Sequence, residues 1–132
     1  HIYAIEINIR QGGTTHPFQT AATLLGASYD KDSGFLKTSD HEYRTYCSYD
    51  NLVLEGAKGL SVEEVLRRLK NTNLLYNKRQ KTGFVFHMLS ALYDYGKCGY
   101  TLIARSEQEL REYEQALEEA LVQNELNELV KA

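Results

Sequence analysis

The sequence predicts an α+β chain. Residues 1–42 read as a strand, a glycine-rich turn and a helix, and residues 43–132 as a small β-α-β-β-α domain with an antiparallel sheet. Three observations predict it. Period-two alternation runs from Tyr3 to Arg10. Two capping boxes, Ser61-Val62-Glu63-Glu64 and Ser106-Glu107-Gln108-Glu109, each open apolar residues at helical spacing. β-rich runs lie at 43–54, 83–92 and 100–104.

In the first strand, residues 2–10, Tyr3, Ile5, Ile7 and Ile9 share one face, and Glu6, Asn8 and Arg10 share the other. Two positions along a strand span roughly 6.6 Å. Glu6 and Asn8 can therefore reach one hard cation, or a pair of them, from the same side; magnesium takes such oxygen ligands and completes its shell with water and phosphate. Arg10, one step further, suits a phosphate or carboxylate. Alternation alone favours an edge strand with a solvated polar face, but the adjoining Gly12-Gly13-Thr14-Thr15-His16-Pro17 turns the balance to the ligand reading. Gly12 and Gly13 would let backbone amides approach an anion. Thr14, Thr15 and His16 serve either as helix caps or as hydroxyl and imidazole groups of a site.

Pro17 opens a helix through Phe18, Ala21, Leu24 and Leu25, with Thr15 or His16 as its cap and Gly26 as its end. Residues 27–42 read as a polar loop, where the boundary between the two parts should fall. Tyr43 to Leu54 is β-rich, with Tyr46 and Ser48 on one face, Cys47 and Tyr49 on the other, and Asp50-Asn51 as a turn. The helix after Ser61 puts Val62, Val65, Leu66 and Leu69 on one stripe. Residues 70–81 form a basic, polar connection. A strand from Gly83 runs into irregular backbone, Tyr93 to Gly99 reads as a turn, and Tyr100 to Ala104 as a second strand. The last helix carries Leu110, Tyr113, Leu117, Ala120 and Leu121, continuing to Leu126, Leu129 and Val130. Its helices should sit on one face of the sheet.

The string YAIEINIRQGGTTHPF from Tyr3 to Phe18 resembles the last strand of the ATP-grasp fold, where a Glu-x-Asn pair holds magnesium on ATP. Within that fold it is similar to the carboxylate–amine ligases related to the peptide ligase of pheganomycin biosynthesis. Asp30 to Leu36 (DKDSGFL), Ser48 to Asn51, Thr82 to His87 and Gly96 to Gly99 resemble the small C-terminal domain of that branch, and the resemblance weakens after about Arg105. It implies a 1–42 remnant of an ATP-grasp domain followed by the C-terminal domain. It further implies ATP and magnesium as cofactors, with Glu6 and Asn8 as metal ligands and Arg10 as both an ATP-binding and a catalytic residue. The carboxylate substrate would lie on Gly12, Gly13, Thr14, Thr15 and His16. ATP phosphorylates a carboxylate, and an amine attacks the acyl phosphate to give an amide. The partners implied are small carboxylate and amine substrates and the rest of the ATP-grasp protein upstream of His1, with the C-terminal domain covering the cleft or forming contacts between subunits. The chain begins mid-strand and without Met, so the expectation is a fragment, inactive alone.

Composition excludes other classes. A net charge of -3 and a pI near 5.8 argue against a nucleic-acid or anionic-membrane surface. No apolar run approaches the ~20 residues of a membrane span, and no signal peptide is visible. Hydrophobic content of 42% and ten tyrosines allow a real core. Cys47 and Cys98 read as reduced thiols of a cytoplasmic protein. Asp30-x-Asp32-x-Gly34 has the wrong spacing for a calcium loop and reads as a turn. His87 reads as a satisfied core or interface histidine, Asp50 as a turn residue or one reaching the ligase cleft, and Lys78, Arg79 and Lys81 as a solvated loop. The alternative to a ligase fragment is a non-catalytic interaction module whose final helix presents an apolar seam past Leu121.

Overall fold

A computed structural model describes residues 12–122. Those residues form an α+β unit with one five-stranded sheet and four α-helices. The expected strand at residues 2–10 and the seam at Leu126, Leu129 and Val130 lie outside the described residues.

Helix α1 (Thr15–Leu25) starts two residues before Pro17, which falls in its first turn, where a missing N–H costs nothing. The N-cap position is Thr14, which makes no side-chain capping bond, rather than Thr15 or His16. Gly26 ends the helix in the left-handed conformation as expected (φ 57°). The segment expected as a loop holds two short strands, β1 (Ser28–Tyr29) and β2 (Leu36–Lys37), paired antiparallel. They close because Asp30 N–H donates to the Phe35 carbonyl at 2.9 Å, and Asp30 Oδ2 accepts from the Ser33 hydroxyl at 2.7 Å. The Asp-Asp-Gly motif is thus a turn.

Strand β3 (Tyr43–Val53) contains the expected Asp50-Asn51 turn as a β-bulge: its pairing with β5 (Lys97–Ala104) shifts register between Tyr49 and Leu52. An extra residue bends a strand without ending it, and Asp and Asn suit that backbone as well as they suit a turn. Strand β4 (Gly83–His87) pairs antiparallel with the other side of β5, so the sheet order is β1-β2-β3-β5-β4. β5 begins three residues earlier than expected, after the five-residue helix α3 (Ala91–Tyr95), which replaces the expected turn.

Strand β5 is covered on both faces, and its two sets of alternating residues divide the core. Cys98, Tyr100, Leu102 and Ala104 pack with Val65 and Leu69 of α2 (Val62–Leu69), Leu92 of α3, and Leu110, Leu117 and Leu121 of α4 (Glu107–Val122). Ile103 faces the other way and packs with Ala21 and Leu25 of α1, and with Leu36. The helices that come after β3 therefore share one face, as expected, and α1 covers the opposite one. Both capping serines accept the N3 amide, Ser61 from Glu64 at 3.2 Å and Ser106 from Glu109 at 3.1 Å. Leu66, placed on the buried stripe of α2 by spacing, is 42% exposed. Arg68 at the same helix end turns inward instead, donating to the Leu121 carbonyl at 2.8 Å and to Glu64 at 2.8 Å.

Arg44 is 6% exposed and fastens the polar 77–82 turn onto β3. Its guanidinium donates to the backbone carbonyls of Lys81, Gln80 and Tyr43 and to the Glu42 carboxylate. Lys81 pairs with Asp40 across the same junction. The Lys81 ammonium, with the Thr38 hydroxyl, holds the Asp40 carboxyl down to about 2. A depressed carboxylate stabilises the fold above its unfolded value near 3.8, and that contribution fades as pH falls toward about 2. In Lys81→Ala the Asp40 midpoint should rise toward 3.8, read by carboxyl NMR titration; an unmoved midpoint would leave the bridge without effect.

Both cysteines are free, Cys98 buried and Cys47 half-buried. Burial, with the Glu114 carboxylate beside it, pushes the Cys47 thiol up to about 12, and burial pushes Cys98 up to about 11. Neither is a reactive thiolate near neutral pH. Among the described residues no helix is long and apolar enough to cross a membrane.

Candidate functional site

The glycine-rich turn is closed by two reciprocal bonds. Thr15 N–H donates to the Gly12 carbonyl at 3.0 Å, and Gly12 N–H donates to Thr15 Oγ1 at 3.1 Å. Thr15 is therefore part of the turn's own framework. Within the described residues nothing lies within 4 Å of where a Cβ on Gly12 would stand, and a Cβ on Gly13 would meet only Asp50 Oδ2, at 3.9 Å. Crowding among the described residues does not require glycine at either place.

Asp50 comes from the β3 bulge, on the side of the sheet that α1 covers. It pairs with His87 of β4, Nε2 to Oδ1 at 3.1 Å. These residues sit on strands that flank β5 on opposite sides, so the imidazole must lie across β5. Gly99 of β5, the register partner of His87, makes this possible. A Cβ there would clash with Cδ2 and Nε2 of His87, so any other residue would push the imidazole off this position. The His16 ring meets the His87 ring edge-on, with centroids 5.0 Å apart. His87 thus lies at an interface, as expected, between the turn and the sheet, but it is not fully satisfied: Nδ1 is buried and unpartnered among the described residues.

Next to this cluster lies a cleft of about 560 Å³, lined among others by Gly13, Thr14, Tyr29, Tyr46, Ser48 and Asp50. Its aromatic wall is braced: the Tyr29 and Tyr46 hydroxyls are 2.9 Å apart, and Phe18 of α1 stacks on Tyr29 at 5.0 Å. Burial, reinforced by the Tyr29 hydroxyl, pushes Tyr46 up to about 12, so it stays a neutral phenol. The Ser48 hydroxyl is spent on the Tyr100 carbonyl at 3.0 Å.

Of the site residues read from the sequence, the structure gathers Gly12, Gly13, Thr14, Thr15 and His16 at one end of this cleft, with Gly13 and Thr14 in its lining. Glu6, Asn8 and Arg10 lie outside the described residues. No group of three or more His, Cys, Asp or Glu side chains placed to hold a metal exists among the described residues. Sequence reasoning did not foresee the Asp50–His87 pair. Gly99 was its only local signal, a glycine inside a run of strand formers.

Comparison with known proteins agrees with the resemblance read from the sequence. Residues 64–117 match the family model of the PGM1 C-terminal domain. L-propargylglycine--L-glutamate ligase of Streptantibioticus cattleyicolor is 31% identical over 120 residues, covering 91% of this chain and 25% of that protein. The chain therefore spans about a quarter of the length of the curated relative it matches. No solved structure matches it.

Proposed function

From a chain similar over most of its length to an amino-acid ligase, and over residues 64–117 to the PGM1 C-terminal domain, we propose that it is the C-terminal part of an ATP-dependent carboxylate–amine ligase. The observation that carries the reading is the placement of the Gly12–His16 turn. It opens onto a cleft shared with Asp50 of the following domain, where two small substrates can meet.

Glu6 and Asn8 supply a carboxylate and an amide oxygen, a donor set that suits magnesium, and they would hold the metal on ATP. The bound nucleotide supplies the phosphoryl group that activates a carboxylate for amide formation. Arg10 would hold the phosphoryl oxygens. Gly12 and Thr15 use their amides to close the turn and Pro17 has none, so the carboxylate substrate would take the N–H groups of Gly13, Thr14 and His16, which Thr14 does not cap with its own side chain. His16 and His87 brace the turn against the sheet. The adenine and most phosphate contacts belong to protein upstream of His1.

The test uses the parent protein, with ATP, magnesium, a panel of amino acids as carboxylates and hydroxylamine as a general amine trap. Hydroxamate and ADP should form together, dependent on the carboxylate. The 132-residue chain alone should give no specific heat with magnesium–ATP in calorimetry. A parent protein that binds no magnesium–ATP, or a micromolar ATP site in the isolated chain, would contradict the reading.

A further inference from the structure

We propose that the cleft beside the Gly12–His16 turn is the amine site. Asp50 would receive the cationic amino group of the acceptor, and the Tyr29–Tyr46 wall would take an apolar side chain. The inference rests on the ligase reading and names the class of its second substrate.

Charge is the first argument. Of the described residues lining the cleft, only Arg44 and Asp50 are charged. The Arg44 guanidinium is 6% exposed and turned to three carbonyls and Glu42, so it presents little positive charge to the cleft. Asp50 is the reverse: its side chain is 64% exposed. One of its oxygens is held by His87, and the other stands 3.9 Å from where a Gly13 side chain would begin. Among the described residues the accessible charge of the cleft is therefore negative, and it is fixed in place by the imidazole laid over Gly99.

Shape and position are the second and third. About 560 Å³ falls in the range of small-molecule sites, roughly 300–1,000 Å³. Part of the cleft's lining is aromatic and held by the Tyr29–Tyr46 hydroxyl pair. The amine, once it has given a proton to Asp50 or water, must also lie beside the acyl phosphate it attacks, from which phosphate leaves, and the turn assigned to the carboxylate borders this cleft. A carboxylate substrate deep in the cleft would face Asp50 and be repelled; an ammonium would be attracted.

The experiment titrates the full 132-residue chain with L-phenylalaninamide, followed by amide NMR shifts. This probe carries an ammonium and an aromatic side chain but no carboxylate. Saturable shifts should appear at Gly13, Thr14, Ser48 and Asp50. N-acetyl-L-phenylalaninamide, which lacks the charge, should give none. Asp50→Asn, on an exposed bulge that tolerates the change, should weaken binding about tenfold, the worth of one charged hydrogen bond. Equal binding of the two probes, an unchanged affinity in Asp50→Asn, or shifts confined to other surfaces would overturn the proposal. Its failure is separable from that of the ligase reading: magnesium–ATP binding by the parent protein tests the latter and does not depend on Asp50.

Discussion

Gly83→Ala should lower the stability of this chain by about 3 kcal/mol, combining backbone strain with overpacking. Gly83 opens β4 at φ 120°, a conformation L side chains rarely adopt. The 74–75 segment crosses directly over it. A Cβ would stand 2.7 Å from the Leu75 carbonyl carbon and oxygen and 2.8 Å from the Leu74 oxygen. These are backbone atoms and cannot swing aside as a side-chain tip would. They are also held by structure: Phe84 N–H donates to the Leu74 carbonyl at 2.7 Å, and Tyr76 N–H to the Phe84 carbonyl at 3.0 Å. Phe84 itself is 2% exposed and lies in the main core. For a domain of this size the loss corresponds to roughly 10 °C or more in Tm. Gly34→Ala is the comparison. It has φ 75° but open space around its Cβ, so it carries only the strain of a left-handed residue, about 1 kcal/mol. Equal melting temperatures for the two variants would show that the crossing segment yields.

What was legible in the sequence was local. The capping serines Ser61 and Ser106, the end of α1 at Gly26 and the alternation of Tyr46 and Ser48 against Cys47 each depend on residues within one or two turns of chain. The features missed depend on partners far along it. Asp50-Asn51 has the composition of a turn, and only pairing with β5 makes it a bulge. Arg44 looks like one more charged strand residue, yet carbonyls 36 and 37 positions away bury it. Leu66 fits the apolar spacing of α2, but only one face of that helix meets α4. The same holds for the site. The Gly12–His16 turn was readable because its residues are contiguous. The Asp50–His87 pair was not, because it needs β3, β4 and β5 side by side and a glycine between them.

Beside the turn, the ligase reading assigns chemistry to the row at residues 6, 8 and 10, which is contiguous in the sequence too. Glu6→Gln in the parent protein keeps the size and one oxygen of the side chain but removes the negative charge that a magnesium ligand supplies. If Glu6 holds the metal on ATP, the loss falls on phosphoryl transfer, where the charge is needed most. The variant should lose about 100-fold or more in kcat, with a much smaller change in Tm. The direct measurement is steady-state ADP release by parent and variant under saturating ATP, magnesium and carboxylate, with thermal melts in parallel. A collapse in kcat with an unshifted melt is the expected result. ADP release by Glu6→Gln at the parent rate would contradict the assignment of Glu6 as a metal ligand, and with it the ligase account of this chain.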